Sequence, residues 1–131
     1  MSILEVQQLT KIFGSPTDEA ERLFREGFSR QEIQRRTGKT LGVGDVTFSV
    51  EAGEIVVIMG LSGSGKSTLV RLINRLIEPT SGTVTIAGDD VTKMSRRELI
   101  RLRRSRLSMI FQRFALFPHR TVAENAAFGL E

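Results

Sequence analysis

Short hydrophobic segments along the chain predict five β-strands separated by polar turns and helices. The residues at 46–50 alternate between apolar and polar, which is typical of a strand with one buried face. The residues at 54–59 are apolar on both faces, as expected of a buried strand in a parallel sheet. Three further strands are predicted at 3–9, 83–87 and 107–111. The pattern favours an α/β domain.

The segment at about 15–41, between the first two strands, is polar, charged and helix-prone. Asp18 is expected to cap a helix that runs to about Phe24. Ser29 and Glu32 have the spacing of a capping box before a second short helix. The segment is therefore predicted to be a short helical insertion on the surface.

Three more helices are predicted beyond the strand at 54–59. The residues at 66–77 have a helical period, and the capping pairs Ser95–Glu98 and Thr121–Glu124 precede two other helices. The apolar face of the first of these helices is formed by Leu69, Leu72, Ile73, Leu76 and Ile77.

Composition narrows the class of protein and of partner. The 131 residues include 40% hydrophobic and 26% charged residues, enough to form the core of one domain. The net charge of +4 and the pI of about 10.3 favour an acidic partner such as a nucleotide, a nucleic acid or a membrane surface. Cysteine is absent, which excludes disulfides and thiolate metal sites. We expect no secretion signal and no membrane-spanning segment, because no apolar run is long enough.

The residues at 60–67 match the phosphate-loop pattern G-x-x-x-x-G-K-[ST] at every fixed position. Its glycines allow backbone amides to converge on phosphate, and the helix that follows adds its N-terminal dipole. Lys66 is expected to neutralise the β- and γ-phosphates and Ser67 to coordinate Mg²⁺. A chance glycine-rich turn is a weaker explanation, because a predicted strand precedes the loop and an amphipathic helix follows it. The expected phosphate-binding residues are Gly60, Ser62, Gly63, Ser64, Gly65, Lys66, Ser67 and Thr68.

The downstream sequence indicates the kind of phosphate-loop protein. A guanine-reading N-K-x-D motif is absent, and LSMIFQRFALFPHRTVAENAAFGL at 107–130 resembles the Q-loop region of the ATP-binding-cassette (ABC) transporter ATPases. The residues at 42–91 resemble the N-terminal half of that family's ATPase domain almost throughout. The helical insertion, with MGLSGSGKST, NRLIEPTSG and FQRFALFPHRTVAENAAFG, resembles the ATPase subunit of glycine betaine/proline (quaternary amine) importers.

The resemblance implies a fold and a set of ligands. It implies the N-terminal portion of an ABC-type phosphate-loop NTPase, with an antiparallel β subdomain, the helical insertion and a Q-loop region at 112–120. ATP and Mg²⁺ are the implied ligands: Phe13 would stack on adenine, and Gln112 would coordinate Mg²⁺ with Ser67 and sense the γ-phosphate. The family often has tyrosine at the position of Phe13, and phenylalanine keeps the stacking ring. A packing role for Phe13 and an ordinary polar role for Gln112 stay open.

The resemblance also implies partners and a location. The family's ATPase subunit contacts a transmembrane permease subunit and a second ATPase subunit, forming a homodimer, and works indirectly with a substrate-binding protein. No nucleic acid is expected. The implied location is cytoplasmic, on the inner face of the cell membrane.

Several parts of the family's hydrolytic machinery are missing from the sequence. The 131 residues contain no L-S-G-G-Q signature, no apolar strand that ends in Asp-Glu and no late histidine. Asp89 and Asp90 are interpreted as turn residues, and His119 as a loop or coupling-interface residue. Because the family domain continues well beyond this length, we expect an incomplete domain: a fragment, an incomplete gene product or half of a split gene.

Two function classes stay open on this sequence. The first is a truncated, energy-coupling transport ATPase subunit, and the second is a nucleotide-binding or regulatory module that does not hydrolyse ATP. A fragment of another ABC-type ATPase, such as a DNA-repair enzyme, is a weaker alternative, because the repair enzymes carry zinc cysteines and this chain has none.

Two surface features have alternative interpretations. An arginine cluster is either an anionic-ligand patch or, as we favour, a solvated helix face, because no aromatic residue interleaves it. Phe111, Phe114 and Phe117 either contact a transmembrane subunit, as the resemblance implies, or pack in the core. The cluster comprises Arg96, Arg97, Arg101, Arg103, Arg104 and Arg106.

Overall fold

The computed structural model describes residues 2–111 and 116–130. The chain divides into two compact units, Met1–Ser95 and Arg96–Glu131. The first unit contains the antiparallel sheet, the helical insertion and the phosphate loop, so it contains most of the predicted site.

The first unit is built on a four-stranded antiparallel sheet with the strand order β2-β1-β3-β4. Its strands are β1 (Ser2–Phe13), β2 (Thr40–Glu51), β3 (Ser81–Ile86) and β4 (Asp89–Asp90). Val6 and Leu9 of the central strand β1 are fully buried. The strands predicted at 3–9, 46–50 and 83–87 are thus confirmed, as is the antiparallel β subdomain. The first two strands extend further than the hydrophobic pattern indicated.

The insertion between β1 and β2 forms two helices, α1 (Asp18–Arg25) and α2 (Arg30–Thr37). The N-cap of α1 is Thr17, so the prediction that Asp18 caps this helix was wrong by one residue. Ser29 caps α2 as predicted, and its hydroxyl accepts a hydrogen bond of 3.2 Å from the Glu32 amide.

A small apolar cluster packs the insertion onto the ends of β1 and β2. Phe24 and Phe28 lie against the cluster from its edge. Burial of this kind contributes roughly 1.5–3 kcal/mol for each large side chain, so the insertion is fixed to the sheet instead of projecting as a free hairpin. The buried members are Ile12, Ala20, Leu23, Ile33 and Leu41.

The helix after the phosphate loop, α3 (Lys66–Ile73), is shorter than the predicted range of 66–77. Leu69 and Leu72 are buried as predicted. The chain leaves the helix at Asn74, and Arg75 adopts a positive φ of 55°. The Arg75 guanidinium then donates to the carbonyls of Val91 and Met94, which fixes this turn against the segment after β4.

The predicted strands at 54–59 and 107–111 do not form. Ile55 is 91% exposed and Ile110 97% exposed. A parallel strand needs hydrogen-bonding neighbours on its edges, and among the described residues every strand pairing belongs to the antiparallel sheet. The sequence pattern was typical of buried strands, but the partners that would bury them are not among the described elements.

The second unit contains α4 (Arg96–Ser105) and α5 (Val122–Ala126), followed by a 3-10 turn at Phe128–Leu130. Thr121 and Glu124 form the predicted capping box with both reciprocal hydrogen bonds. The Asn125 amide group bonds the backbone of Phe117, Arg120 and Thr121 and so holds the loop before α5.

Candidate phosphate-binding site

The phosphate loop lies on the surface of the first unit and runs directly into α3. Gly65 is the N-cap of that helix, and the Leu69 amide makes the first helical bond to the Gly65 carbonyl at 2.8 Å. Within the loop, the Ser64 amide donates to the Leu61 carbonyl at 3.1 Å. The loop is thus a closed turn followed by a helix N-terminus, the arrangement that directs backbone amides toward an anion.

Two of the loop glycines need a left-handed backbone. Gly63 has a φ of 80° and Gly65 a φ of 100°. A Cβ on Gly65 would also lie 2.5 Å from the Gly42 carbonyl oxygen of β2. Gly60 has a different reason to be glycine, because a Cβ there would lie 2.5 Å from the Ser64 hydroxyl. The expectation of a special backbone conformation therefore holds for Gly63 and Gly65, whereas close approach of a side chain explains Gly60.

The Lys66 ammonium group lies against the loop's own backbone. Its Nζ donates to the Leu61 carbonyl at 2.8 Å and also to the Gly60 carbonyl. The lysine therefore places a positive charge beside the first residues of the loop.

The hydroxyl residues of the motif have distinct positions. Ser67 is exposed in the first turn of α3, and Thr68 behind it is half-buried. Ser62 and Ser64 are exposed on the loop. A Cβ on Gly42 would lie 3.4 Å from the Thr68 side chain, so the start of α3 packs on the backbone of β2.

Phe13, at the end of β1, lies next to the start of α3. It is paired with Thr40 across the sheet and is 38% exposed. A Cβ on Gly42 would lie 2.6 Å from the Phe13 ring, and the Lys11 ammonium lies 5.3 Å from the ring centroid. The structure thus brings a partly exposed aromatic ring to the same glycine on which Thr68 packs.

Arg30 is a contact of the loop that the sequence did not indicate. It is the first residue of α2, and its guanidinium donates to the Gly63 carbonyl at 3.0 Å and to the Gly42 carbonyl at 3.3 Å. In the sequence Arg30 is one arginine among several in a polar insertion, and no local pattern signals a contact 33 residues away.

The second half of the expected Mg²⁺ site is not described. Gln112 lies outside the described residues, as does Phe114. Among the described residues no group of three or more His, Cys, Asp or Glu side chains could hold a metal ion. Ser67 is therefore the one described member of the expected pair.

The two aspartates that follow the turn after β3, Asp89 and Asp90, belong to the sheet and to the turn after it. Asp89 and Asp90 form the short strand β4, and the turn before them is made by Ala87 and Gly88 with positive φ angles. The prediction that the aspartates are turn residues was therefore wrong. Asp90 accepts a hydrogen bond of 2.9 Å from the Thr92 amide and caps the following 3-10 turn.

In the second unit, the ring of His119 lies 5.8 Å from that of Phe117 in an edge-on contact. Phe117 also packs on Phe128 at 4.9 Å, and the Arg120 guanidinium lies 5.0 Å from the Phe117 centroid. His119 is thus a loop residue, as predicted. Phe111 is half-exposed. In the part of the chain that the structure describes, no helix is both long and apolar enough to cross a bilayer.

A family model and the curated relatives of this chain agree on one family. The family model described as ABC transporter matches residues 43–130. The chain is 53% identical over 131 residues to the glycine betaine/carnitine transport ATP-binding protein GbuA of Listeria monocytogenes, covering 100% of this chain and 33% of the relative. It is 54% identical over 128 residues to the glycine betaine/proline betaine transport system ATP-binding protein ProV of Escherichia coli, covering 98% of this chain and 32% of the relative. The chain therefore spans about a third of the length of the curated relatives it matches.

Solved structures agree with these matches. The dimeric structure of MJ0796, described as a bacterial ABC transporter cassette, has a TM-score of 0.74 and 29% identity, covering 97% of this chain and 46% of that one. A dimeric post-hydrolysis state of the same cassette, bound to ADP and Pi, has a TM-score of 0.75 at the same identity and coverage. The fold is that of a partial phosphate-loop NTPase, as the sequence predicted.

Proposed function

Because this chain belongs to the ABC transporter family, we propose that it binds ATP and that the whole protein powers uptake of glycine betaine- or proline-type quaternary amines through an ABC transporter. The observation that carries the ATP-binding proposal is the closed loop at 60–67, with its N-capped helix and the Lys66 ammonium on the loop backbone. The relatives' names, which include glycine betaine transport, support the substrate class.

We assign the parts of the site as follows. The amides of the loop and of the first turn of α3 bind the phosphates, because a helix N-terminus and converging amides favour anions. The phosphate-binding set is Gly60, Ser62, Gly63, Ser64, Gly65, Lys66, Ser67 and Thr68. Lys66 exchanges its bonds to loop carbonyls for bonds to phosphate oxygens, so its charge is in place before the ligand arrives.

Ser67 and Gln112 are proposed to hold Mg²⁺. Mg²⁺ takes oxygen ligands and usually keeps several waters beside one or two protein groups and the phosphates. The exposed Ser67 hydroxyl in the first turn of α3 fits that requirement. When bound, the ion supplies charge neutralisation on the phosphate oxygens.

The adenine end of the ligand is proposed to lie on Phe13. The ring is partly exposed and adjoins the start of α3 through Gly42. An aromatic face beside a phosphate site allows a base to stack while its phosphates reach the loop.

At the level of the whole protein we propose three further features. The residues 1–131 form the N-terminal part of a nucleotide-binding domain, with an insertion at about 15–41 and a Q-loop region at 112–120. The whole protein is proposed to dimerise and to contact a transmembrane permease on the inner face of the membrane. The dimeric assembly named for the neighbouring cassette supports the first of these contacts.

Isothermal titration with Mg-ATP tests the ATP-binding proposal. We expect Lys66→Ala to weaken binding by about ten- to a hundredfold, because charge-assisted hydrogen bonds are worth about 1.5–3 kcal/mol. The matched control is Lys93→Ala, since Lys93 is exposed and lies 3.9 Å from the Asp90 carboxylate, outside the site. Equal affinities of wild type and Lys66→Ala would remove Lys66 from the site, and no binding by wild type would overturn the proposal.

A chimera tests the substrate class. The matching 128 residues of the Escherichia coli relative are replaced by this chain, and glycine betaine uptake is measured in cells that lack the native ATP-binding protein. We expect uptake from the chimera and none from the same chimera with Lys66→Ala. A chimera that is present at normal level and supports no uptake would contradict the assignment to this importer class.

A further inference from the structure

Arg30 of the helical insertion touches the phosphate loop. Arg30 begins α2, and its two terminal nitrogens reach two carbonyls on different segments: Nη1 donates to Gly63 at 3.0 Å and Nη2 to Gly42 at 3.3 Å. A guanidinium has this planar fork of donors and can bridge two acceptors at once, which a lysine ammonium does less rigidly.

One of these two carbonyls, that of Gly42, lies where the loop comes close to the sheet. A Cβ on Gly65 would lie 2.5 Å from the Gly42 oxygen, so the backbones of the loop and of β2 are in direct contact. Arg30 joins them beside that contact. Because carbonyl and amide of one peptide unit point in opposite directions, holding the Gly63 carbonyl also fixes the Ser64 amide, which donates to Leu61.

The position of Arg30 is set by the fold and not by the loop. Ile33, one turn later in α2, is fully buried in the apolar cluster, and Ser29 caps the helix. The guanidinium therefore approaches the loop from a helix that is packed onto the sheet. It also brings a positive charge to a loop that is expected to receive a polyphosphate.

We propose that Arg30 is a positioning residue for the phosphate loop, through which the helical insertion contributes to nucleotide affinity. The inference rests on the proposed ATP binding and adds a residue from outside the loop motif. It has a reciprocal consequence: a ligand that binds the positioned loop also stabilises the insertion, because coupling between two sites acts in both directions.

The test separates positioning from charge and from folding. Binding of inorganic triphosphate and of ATP, each with Mg²⁺, is measured by titration for wild type, Arg30→Ala, Arg30→Lys and Arg35→Ala. Arg35 is the matched control, since it lies on the same helix, is 71% exposed and pairs with Glu32 at 2.6 Å. Thermal unfolding with and without triphosphate is followed for each variant.

We expect Arg30→Ala to weaken the binding of triphosphate and of ATP alike, by about tenfold. Arg30→Lys should recover part of the loss, because it keeps the charge and one donor. Arg35→Ala should bind as wild type does. The stabilisation that triphosphate produces should be smaller in Arg30→Ala than in wild type at the same ligand concentration.

The outcomes distinguish this inference from the proposed function. If wild type binds ATP and Arg30→Ala binds ATP and triphosphate with wild-type affinity, the positioning role is wrong and the ATP-binding proposal stands. If Arg35→Ala weakens binding as much as Arg30→Ala, helix charge and not position is responsible, and the inference is again wrong. If Arg30→Ala does not fold, Arg30→Lys decides: wild-type affinity for triphosphate from the folded lysine variant would overturn the need for the bridging fork.

Discussion

At the scale of single residues, Gly42 is the point at which the sheet, the phosphate loop and the start of α3 come into contact. A Cβ on Gly42 would meet the Phe13 ring and the Thr68 side chain, and a Cβ on Gly65 would meet the Gly42 carbonyl oxygen. Arg30 also bonds the Gly42 carbonyl. The phosphate-loop motif at 60–67 therefore packs against Gly42, a residue that lies outside the motif.

The Phe13 assignment gives a prediction at this scale. Phe13→Ala should weaken the binding of ATP by about tenfold or more and leave the binding of inorganic triphosphate unchanged, because stacking on a base contributes about 1–3 kcal/mol. Competition titration with both ligands measures the difference. Phe13→Tyr is the control and should bind both ligands as wild type does. Equal weakening of the two ligands by Phe13→Ala would make Phe13 a packing residue.

At the scale of elements, the insertion and the two apolar segments behave in opposite ways. The helices α1 and α2 find a core, because Ile33 and Leu23 pack against Ile12 and Leu41 at the ends of β1 and β2. The apolar segment at 54–59 lies exposed, and the segment at 107–111 is partly exposed, with Ile110 97% exposed. Hydrophobicity alone does not make a strand, since the backbone amides and carbonyls also need partners.

At the scale of the whole molecule, the proposed site is made of groups that bind phosphates. The proposed site contains backbone amides, the Lys66 ammonium and four hydroxyl side chains, and the sequence contains no L-S-G-G-Q signature and no apolar strand that ends in Asp-Glu. We expect the 131-residue chain to hydrolyse ATP no faster than its Lys66→Ala variant in a phosphate-release assay. Each missing group of this kind contributes a factor of about 10² to 10³ in rate.

The control for this prediction is a covalent fusion of the chain to the remaining two thirds of its Escherichia coli relative. The fusion should release phosphate, and the same fusion with Lys66→Ala should not. Turnover by residues 1–131 alone that is lost in Lys66→Ala would show that a carboxylate in this chain activates water. Asp89 and Asp90 would be the first to replace.

The sequence by itself determined the elements whose causes are local. The capping pairs Ser29–Glu32 and Thr121–Glu124 begin helices where predicted, since the capping side chain bonds a backbone amide only three residues away. The loop motif predicted a glycine-rich turn followed by a helix, and the structure has both. The strand pattern at 46–50 succeeded because β1 is available to pair with β2.

Only the tertiary structure decided which segments have partners. The segment at 54–59 has the stronger apolar pattern, yet it is the alternating strand β2 that pairs with β1 and that carries Gly42 to the loop. The same holds for Arg30, whose contact spans 33 residues and depends on how α2 packs. Pairing and long-range contacts depend on what lies opposite a residue in space, and a one-dimensional pattern of side chains does not contain that information.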